Sequence, residues 1–402
     1  MAMLFQFNFY SSLLLISFTQ GIVFSVLLFI KGLHHENKAT KWLSLFVFLC
    51  SLYIAPWMLG FAGWYDNQPY RDLLFYIPFL HLFFIGPVIY FYIQSLLNPA
   101  FKFTKKEFLQ LIPGILYLLY SLIVWLTDKV MLKEYYFYED GSDKDFASWY
   151  QILGLTSMFS YFFISLKYYR SYRKLIFQIT SYANQIVFNW IRNFLYAFLA
   201  MLLLRIVFYM IPFFIGGFKD YSGIWWHYLF FSIILYYIAI TGYSNPVVTK
   251  IGYTLSYIEN KPIYFLSSNE NNNEANTIDI EYQLENEMSE EVSQWKLKLI
   301  ALIEKEELFK NPELTLSDVA KKLETNTSII SKTINQGFQM NFNDFINNYR
   351  IEAVKTCLKN DQHKKTTLLG IALDCGFNSK ATFNRAFKKS TGLSPKDYLL
   401  KI

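Results

Sequence analysis

The sequence predicts an all-α protein: a seven-helix transmembrane bundle, a linker, and a C-terminal all-helical domain in which two helix-turn-helix units are joined by a long helix. Three observations predict it. The 402-residue chain is 53% hydrophobic and 20% aromatic, above the range of ordinary soluble domains. Before residue 245, apolar stretches near 20 residues recur seven times, the length that crosses a hydrocarbon core of about 30 Å. Near the C-terminus, a segment repeats its apolar spacing at an offset of 53 residues, which marks two copies of one unit. The expected organisation is a bundle over 1–245, a juxtamembrane and acidic linker over 246–290, a connecting helix over 291–310, and the paired units over 311–402.

The seven spans run approximately from Ser11 to Ile30, Trp42 to Phe61, Leu73 to Leu97, Phe108 to Leu126, Trp149 to Leu166, Asn193 to Ile215 and Ile224 to Thr241. The first 30 residues lack a basic leader and a small-residue cleavage site, so the first apolar run reads as a retained span. The first, third and fifth loops are basic: Lys31, Lys38 and Lys41; Lys102, Lys105 and Lys106; then Lys167, Arg170, Arg173, Lys174 and Arg192. The fourth holds six acids, Asp128, Glu134, Glu139, Asp140, Asp143 and Asp145, against three lysines. Lys/Arg-rich loops stay cytoplasmic, which puts the N-terminus outside and everything after Thr241 inside. Pro56, Pro78, Pro87, Pro113 and Pro212 are expected to kink spans two, three, four and six.

The carboxylates before residue 267 all fall outside the spans, but two cationic or titratable side chains, His81 and Arg205, lie well inside them, with Gln20 at mid-depth in the first span and His227 near the outer mouth of the seventh. Arg205 and His81 lie on the order of 12–15 Å deep from the outer end, at 1.5 Å per helical residue. Two readings stand for Arg205: a structural cation satisfied by helix-end carbonyls and water, or one wall of an outward-facing pocket for a small anionic or polar ligand.

From Ser267 to Glu291 there are eight acids, six asparagines and no Lys or Arg, a composition that cannot bury a core and reads as a tether. Leu284, Met288, Val292, Trp295, Leu299 and Leu302 then recur on one helical stripe. Two partners suit that stripe: a second copy of the chain, giving a homodimer through the 284–302 helix, or the domain that follows.

Residues 311–402 carry 14 Lys/Arg against 8 Asp/Glu, and a basic excess supplies the salt-dependent phosphate attraction of DNA binding. In the first copy, Thr315 and Asp318 form a capping box ahead of LSDVAKKL, and Asn326 or Thr327 starts a second helix anchored by Ile330 and Ile334. In the second copy, LLGIALDC ends at Gly376, and Phe383 and Phe387 anchor the next helix. With that pair inward, the outward face holds Ala381, Arg385 and Lys388, flanked by Thr382 and Asn384. The matching positions of the first copy include Ser328, Ser331 and Lys332. Arg and Asn suit bidentate base contacts, while Lys388 and Lys389 at the helix end suit phosphate. Between the copies, NFNDFINNYRIEAVKTCLKN reads as one long helix with Phe342, Phe345, Ile346, Tyr349, Ala353, Val354 and Leu358 inward. It would hold both recognition helices on one face of DNA, a turn of about 34 Å apart.

LSDVAKKL, FNDFINNYRIEAV, IALDCGFNSKATFNRAFKKSTGLSP and the internal repeat make Leu314–Tyr398 resemble the DNA-binding domain of the AraC/XylS family of bacterial transcription regulators. The resemblance covers about a fifth of the chain. It implies two helix-turn-helix units contacting adjacent major grooves of double-stranded DNA. It maps the family's base-reading positions onto Ser328, Ser331 and Lys332, and onto Ala381, Thr382, Asn384 and Arg385. This sequence departs from the family at Glu324 and Gln339, where glycine is frequent, and Ala381 offers a base only a methyl. A bundle, a tether and this domain together resemble the membrane-bound regulators of the family, with the bundle in the bacterial cytoplasmic membrane and the reader in the cytoplasm. The alternative is a solute receptor or transporter with a cytoplasmic regulatory domain. No enzyme is expected: H-E-x-x-H, G-x-S-x-G and phosphate-binding glycine loops are absent. No cofactor is expected, and Cys50, Cys357 and Cys375 have no metal-ligand spacing.

Overall fold

The computed structural model describes residues 5–98, 101–182, 188–214, 221–244 and 292–401. These residues form helices and no strand. They fall into two compact units, one from Met1–Tyr169 with Asn189–Leu255 and one from Arg170–Phe188 with Ser256–Ile402. The acidic stretch 267–291, including the first part of the 284–302 stripe, lies outside the described residues.

The first unit holds α1 (Phe9–His34), α2 (Lys38–Phe61), α3 (Tyr70–Tyr76), α4 (Leu82–Leu97), α5 (Lys105–Leu109), α6 (Ile112–Trp125), the beginning of α7 (Ser148–Ile179), α8 (Phe188–Phe214) and α9 (Tyr221–Ser244). α1 starts where Asn8 and Ser11 cap one another, and α2 where Asn37 accepts from Thr40 N. The two helices approach closely through small residues, the means by which apolar helices pack when burial alone gives little preference. Ser25 Oγ donates to Ser44 O (3.0 Å) and Ser44 Oγ to Ser25 O (2.8 Å), and any Cβ on Gly21 would collide with Ser51.

Five described helices are long and apolar enough to cross a membrane: Phe9–His34, Lys38–Phe61, Ile112–Leu132, Asn189–Pro212 and Gly223–Ser244. The other two expected spans differ in kind. The third is broken, with residues 77–81 unwound between α3 and α4. The fifth lies in α7, whose 32 residues take in Ser, Thr and Gln early and Lys167, Arg170, Arg173 and Lys174 late, so it fails a test of continuous apolarity. The prolines also divide. Pro56, Pro87 and Pro212 sit inside helices, but Pro78 lies in the break and Pro113 in the first turn of α6, where a missing N–H costs nothing.

Unwound backbone among apolar helices needs partners, and the acidic loop supplies them. Phe79 N and Leu80 N donate to Asp145 Oδ2 (2.8 and 2.9 Å), and Tyr117 Oη donates to Asp145 Oδ1 (2.5 Å). Tyr150 Oη donates to Leu80 O and accepts from Leu82 N. The loop is thus a plug as well as a solvated face. Asp128 is fully buried in a π-helical extension of α6, Leu126–Leu132, taking Tyr76 Oη at 3.0 Å and Phe137 N. That carboxylate therefore belongs to a long apolar helix and not to a loop.

The second unit contains residues 170–182, a helix over 292–305 (α10), α11 (Leu316–Lys322), α12 (Thr327–Gly337), α13 (Phe342–Lys359), α14 (Leu368–Asp374), α15 (Lys380–Thr391) and α16 (Pro395–Leu399). α13 runs through two cores. Phe342, Phe345 and Ile346 pack with Val319, Ala320, Ile330 and Ile334; Ile351, Val354 and Leu358 pack with Ile371, Ala372, Phe383 and Phe387. Leu299 and Ile303 of α10 are fully buried in the first core, with Trp295 and Leu302 against it. Of the six stripe residues four are described, and three of these, Trp295, Leu299 and Leu302, pack into the unit's own core.

Candidate nucleic-acid interface

The two short helices expected to meet DNA begin 53 residues apart, and so do their caps. Asn326 accepts from Ile329 N at the start of α12, and Ser379 from Thr382 N at the start of α15. The next caps, Asn341 and Ser394, keep the same offset. Each preceding helix is capped as well: Thr315 and Asp318 reciprocally for α11, and Thr367 on Gly370 N for α14. In each pair an apolar pair four apart, Ile330/Ile334 or Phe383/Phe387, sits on the one face of the second helix that reaches the core.

Ala381, Asn384, Arg385 and Lys388 are exposed, at positions i, i+3, i+4 and i+7 of α15, which form one face. Thr382, expected at the edge of that face, is 2% exposed and accepts from Ser379 Oγ at 3.0 Å. Lys389 is exposed but paired with Asp344 Oδ2 at 2.7 Å, so any phosphate contact it makes displaces that carboxylate.

The first copy differs. Ser328 is exposed and Lys332 half-buried, but Ser331 is 6% exposed, and its Oγ accepts from Asn335 Nδ2 at 3.3 Å. The buried arc of α12 is wide, taking in Ser331 and Thr333 beside Ile330 and Ile334. Asn335 and Gln336 extend the exposed side instead. α10 also covers this copy: Lys296 Nζ donates to Gly337 O at 2.9 Å.

The turns explain the two departures from the family. Glu324 and Gln339 adopt φ of 49° and 54°, the left-handed region that favours glycine. The second copy has Gly376 (φ 93°) and Gly392 (φ 75°) at its corresponding turns.

α13 carries a residue that sequence reading passed over. Arg350 is 0% exposed. Nε donates to Phe309 O (2.7 Å), Nη1 to Ser181 O (3.3 Å) and Asn347 Oδ1 (3.4 Å), and Nη2 to Asn311 O (2.7 Å) and Ser181 Oγ (3.0 Å). Its signal was present: Ile346, Arg350, Val354 and Leu358 follow at steps of four, so the arginine falls on the buried stripe. Burial lowers its pKa to about 10, which leaves it a cation at neutral pH.

In the first unit, two of the four polar residues singled out in the spans come together. Arg205 and His227 line one cavity of about 30 Å³ with Tyr53, Cys50 and Met201, room for about one water. Arg205 Nη2 donates to Gln151 Oε1 (2.9 Å), and His227, 1% exposed, has Nε2 3.2 Å from Tyr53 Oη and no hydrogen-bond partner at Nδ1. His81 instead occupies the N-cap position of α4, with no capping hydrogen bond from its side chain, and Gln20, whose Nε2 is buried with no partner among the described residues, lies elsewhere on α1. A wider cleft of about 770 Å³ was not foreseen. Asp72 and Lys129 line it, paired at 2.7 Å, with Lys129 over the rings of Tyr76 and Tyr135. No group of His, Cys, Asp and Glu suited to a metal ion occurs among the described residues.

Residues 319–401 match the family model described as a helix-turn-helix domain. The chain is also similar to proteins named uncharacterized HTH-type transcriptional regulators from Staphylococcus aureus strains COL and MSSA476, each 35% identical over 92 residues. That stretch is 23% of this chain and 12% of those relatives, so the chain spans only a small part of their length. No solved structure gives a significant match. The family match supports one point: the C-terminal region carries a helix-turn-helix domain of the AraC type.

Proposed function

We propose that this chain is a membrane-anchored, sequence-specific DNA-binding transcription regulator whose apolar bundle senses a signal. The observation that carries the reading is the pair of helix-turn-helix units on one continuous α13, with Ala381, Asn384, Arg385 and Lys388 exposed on one face of α15. Arg385 and Asn384 suit base edges, and Lys388 suits phosphate. Ser328 and Lys332 are the first copy's base-reading side chains, helped by Asn335, while Ser331 and Thr382 act from below by holding the helix surface. Five helices of membrane length support the anchor, and the basic first, third and fifth loops favour a cytoplasmic reader.

The sensing role rests on Arg205 and His227. A cation and an imidazole with an unpartnered Nδ1 at one water-sized cavity favour a polar or anionic occupant no larger than that space. The test of the whole reading is genome-wide mapping of DNA bound by the intact chain, beside an Arg385→Ala variant. Enrichment at a few promoters, lost in the variant, is the expected result. Occupancy no greater than bulk DNA, unchanged by the variant, refutes it.

A further inference from the structure

Two polar residues outside the paired units are as deeply buried as any core leucine. Thr180 and Ser181 follow directly on α7, and both are 0% exposed. Basic residues dominate the helix leading to them, Lys167, Arg170, Arg173 and Lys174, so a solvated turn is the ordinary expectation. The second unit holds them instead. Thr180 and Thr315 form an antiparallel bridge, and Ser181 N donates to Leu314 O at 3.1 Å. Asn343 Nδ2 donates to Thr180 O at 3.3 Å.

The strongest tie is to Arg350. A guanidinium has five N–H donors, and the five acceptors around Arg350 match them one for one. Ser181 supplies two, its carbonyl and its hydroxyl; Phe309, Asn311 and Asn347 supply the rest. All five are neutral, so the charge is held by dipoles alone. Leaving buried donors of a charged group unpaired is costly, and withdrawal of Ser181 would do that to two of the five. Arg350 also sits where α13 passes from the first core to the second, between Ile346 and Ile351.

We propose that Thr180–Ser181 is a docking segment for α13, through which α7 is tied to the element that spaces the two recognition helices. α7 is one uninterrupted helix from Ser148 to Ile179, about 48 Å at 1.5 Å per residue. Ser181 stands two residues beyond the end of α7 and well ahead of the acidic tether in sequence, so a change at that helix end bears on Ser181 and on Arg350. The docked segment holds α13 straight and the two copies in register; its release loosens the first copy. This coupling rests on the regulator reading above, since it names how the bundle would reach the DNA.

The test uses the intact chain in lipid nanodiscs with the two variants Ser181→Pro and Ser181→Ala. Proline removes the N–H that bonds Leu314 O and disfavours the backbone before it; alanine removes only the hydroxyl acceptor. Neither touches a residue that faces DNA. Hydrogen exchange over 309–315 and 343–351 reports docking, and affinity for the mapped operator reports coupling. Ser181→Pro is expected to speed exchange in both peptides at least tenfold and weaken operator binding at least threefold, with Ser181→Ala moving both in the same direction and less. Exchange at the wild-type rate in both variants overturns the docking. Faster exchange with unchanged or tighter operator binding overturns the coupling. If the wild-type chain ignores DNA, the regulator reading falls, while the exchange data still decide whether the segment is docked.

Discussion

Glu324 and Gln339 hold left-handed backbone with side chains that gain nothing visible from it. Both are exposed, and neither makes a side-chain hydrogen bond or ion pair among the described residues. An L-residue with a Cβ pays about 1–2 kcal/mol there. Glycine removes that strain but widens the unfolded ensemble, which returns about 0.4–1 kcal/mol. The net expected gain for Gln339→Gly or Glu324→Gly is therefore about 0.5–1 kcal/mol each. The converse changes calibrate it. A Cβ at Gly392 meets nothing within 4 Å, so Gly392→Ala isolates the backbone cost at about 1 kcal/mol. A Cβ at Gly376 would collide with Phe309 O and Lys310, and Phe309 O is an acceptor of Arg350, so Gly376→Ala should cost clearly more. The assay is native-state hydrogen exchange of α13 amides, which open with the whole unit. The gain reads as roughly two- to fivefold slower exchange. Faster exchange in both glycine variants, with Gly392→Ala neutral, would refute the claim that these turns are strained.

Three further outcomes follow from the same geometry. Arg385→Ala should weaken binding to the mapped operator by about 1–3 kcal/mol and relax preference at one base position, whereas Lys388→Ala should weaken all sequences alike and lower the salt slope by about one; titrations at several salt concentrations separate the two. Leu299→Ala should destabilise the second unit by about 2–5 kcal/mol, read by exchange in α12 and α13, and no effect would mean that α10 is not part of that core. The Asp143 carboxyl is pushed up to about 7 by burial and by the charge of Asp145, while Tyr65 and Asp145 N donate to it. A raised carboxyl binds its proton more tightly when folded, so its contribution is full below the unfolded value near 4 and lost as pH rises through about 7. Exchange over the break 77–81, corrected for its intrinsic pH dependence, should be slower at pH 5 than at pH 8, and Asp143→Asn should flatten that difference.

How much of this could be read from the chain differs between the two units, for a physical reason. In the second unit the helices from α11 onward are amphipathic and capped by their own neighbours, so Thr315 and Asn326 announce their roles locally, while the cap of α15 falls on Ser379 and not on Asn378, the residue the sequence suggests. The caps and the apolar pairs fix which face is inward, and Ala381, Asn384, Arg385 and Lys388 follow. Ser331 and Thr382 do not, because the width of a buried arc depends on what covers it. The same limit hid Ser181, whose burial depends on a chain segment more than 100 residues away.

In the first unit, apolarity marks the helices but not their interruptions. In IPFLH, Pro78 announces a kink but not five unwound residues; the difference lies in Asp145, some 65 residues on, whose carboxylate takes the freed amides of Phe79 and Leu80. An acid in a loop of mixed charge looks solvated until the backbone that needs it is known. Arg350 is the mirror case. A cation on the apolar stripe of α13 looks like an error of pattern until the carbonyls of Phe309, Asn311 and Ser181 are placed around it. Both residues serve backbone that has left regular structure, Asp145 by accepting and Arg350 by donating. A charged side chain that breaks an expected pattern is therefore best questioned by asking which irregular backbone it satisfies. For Arg350 the answer includes the end of α7, which makes that side chain a structural tie as well as a core residue.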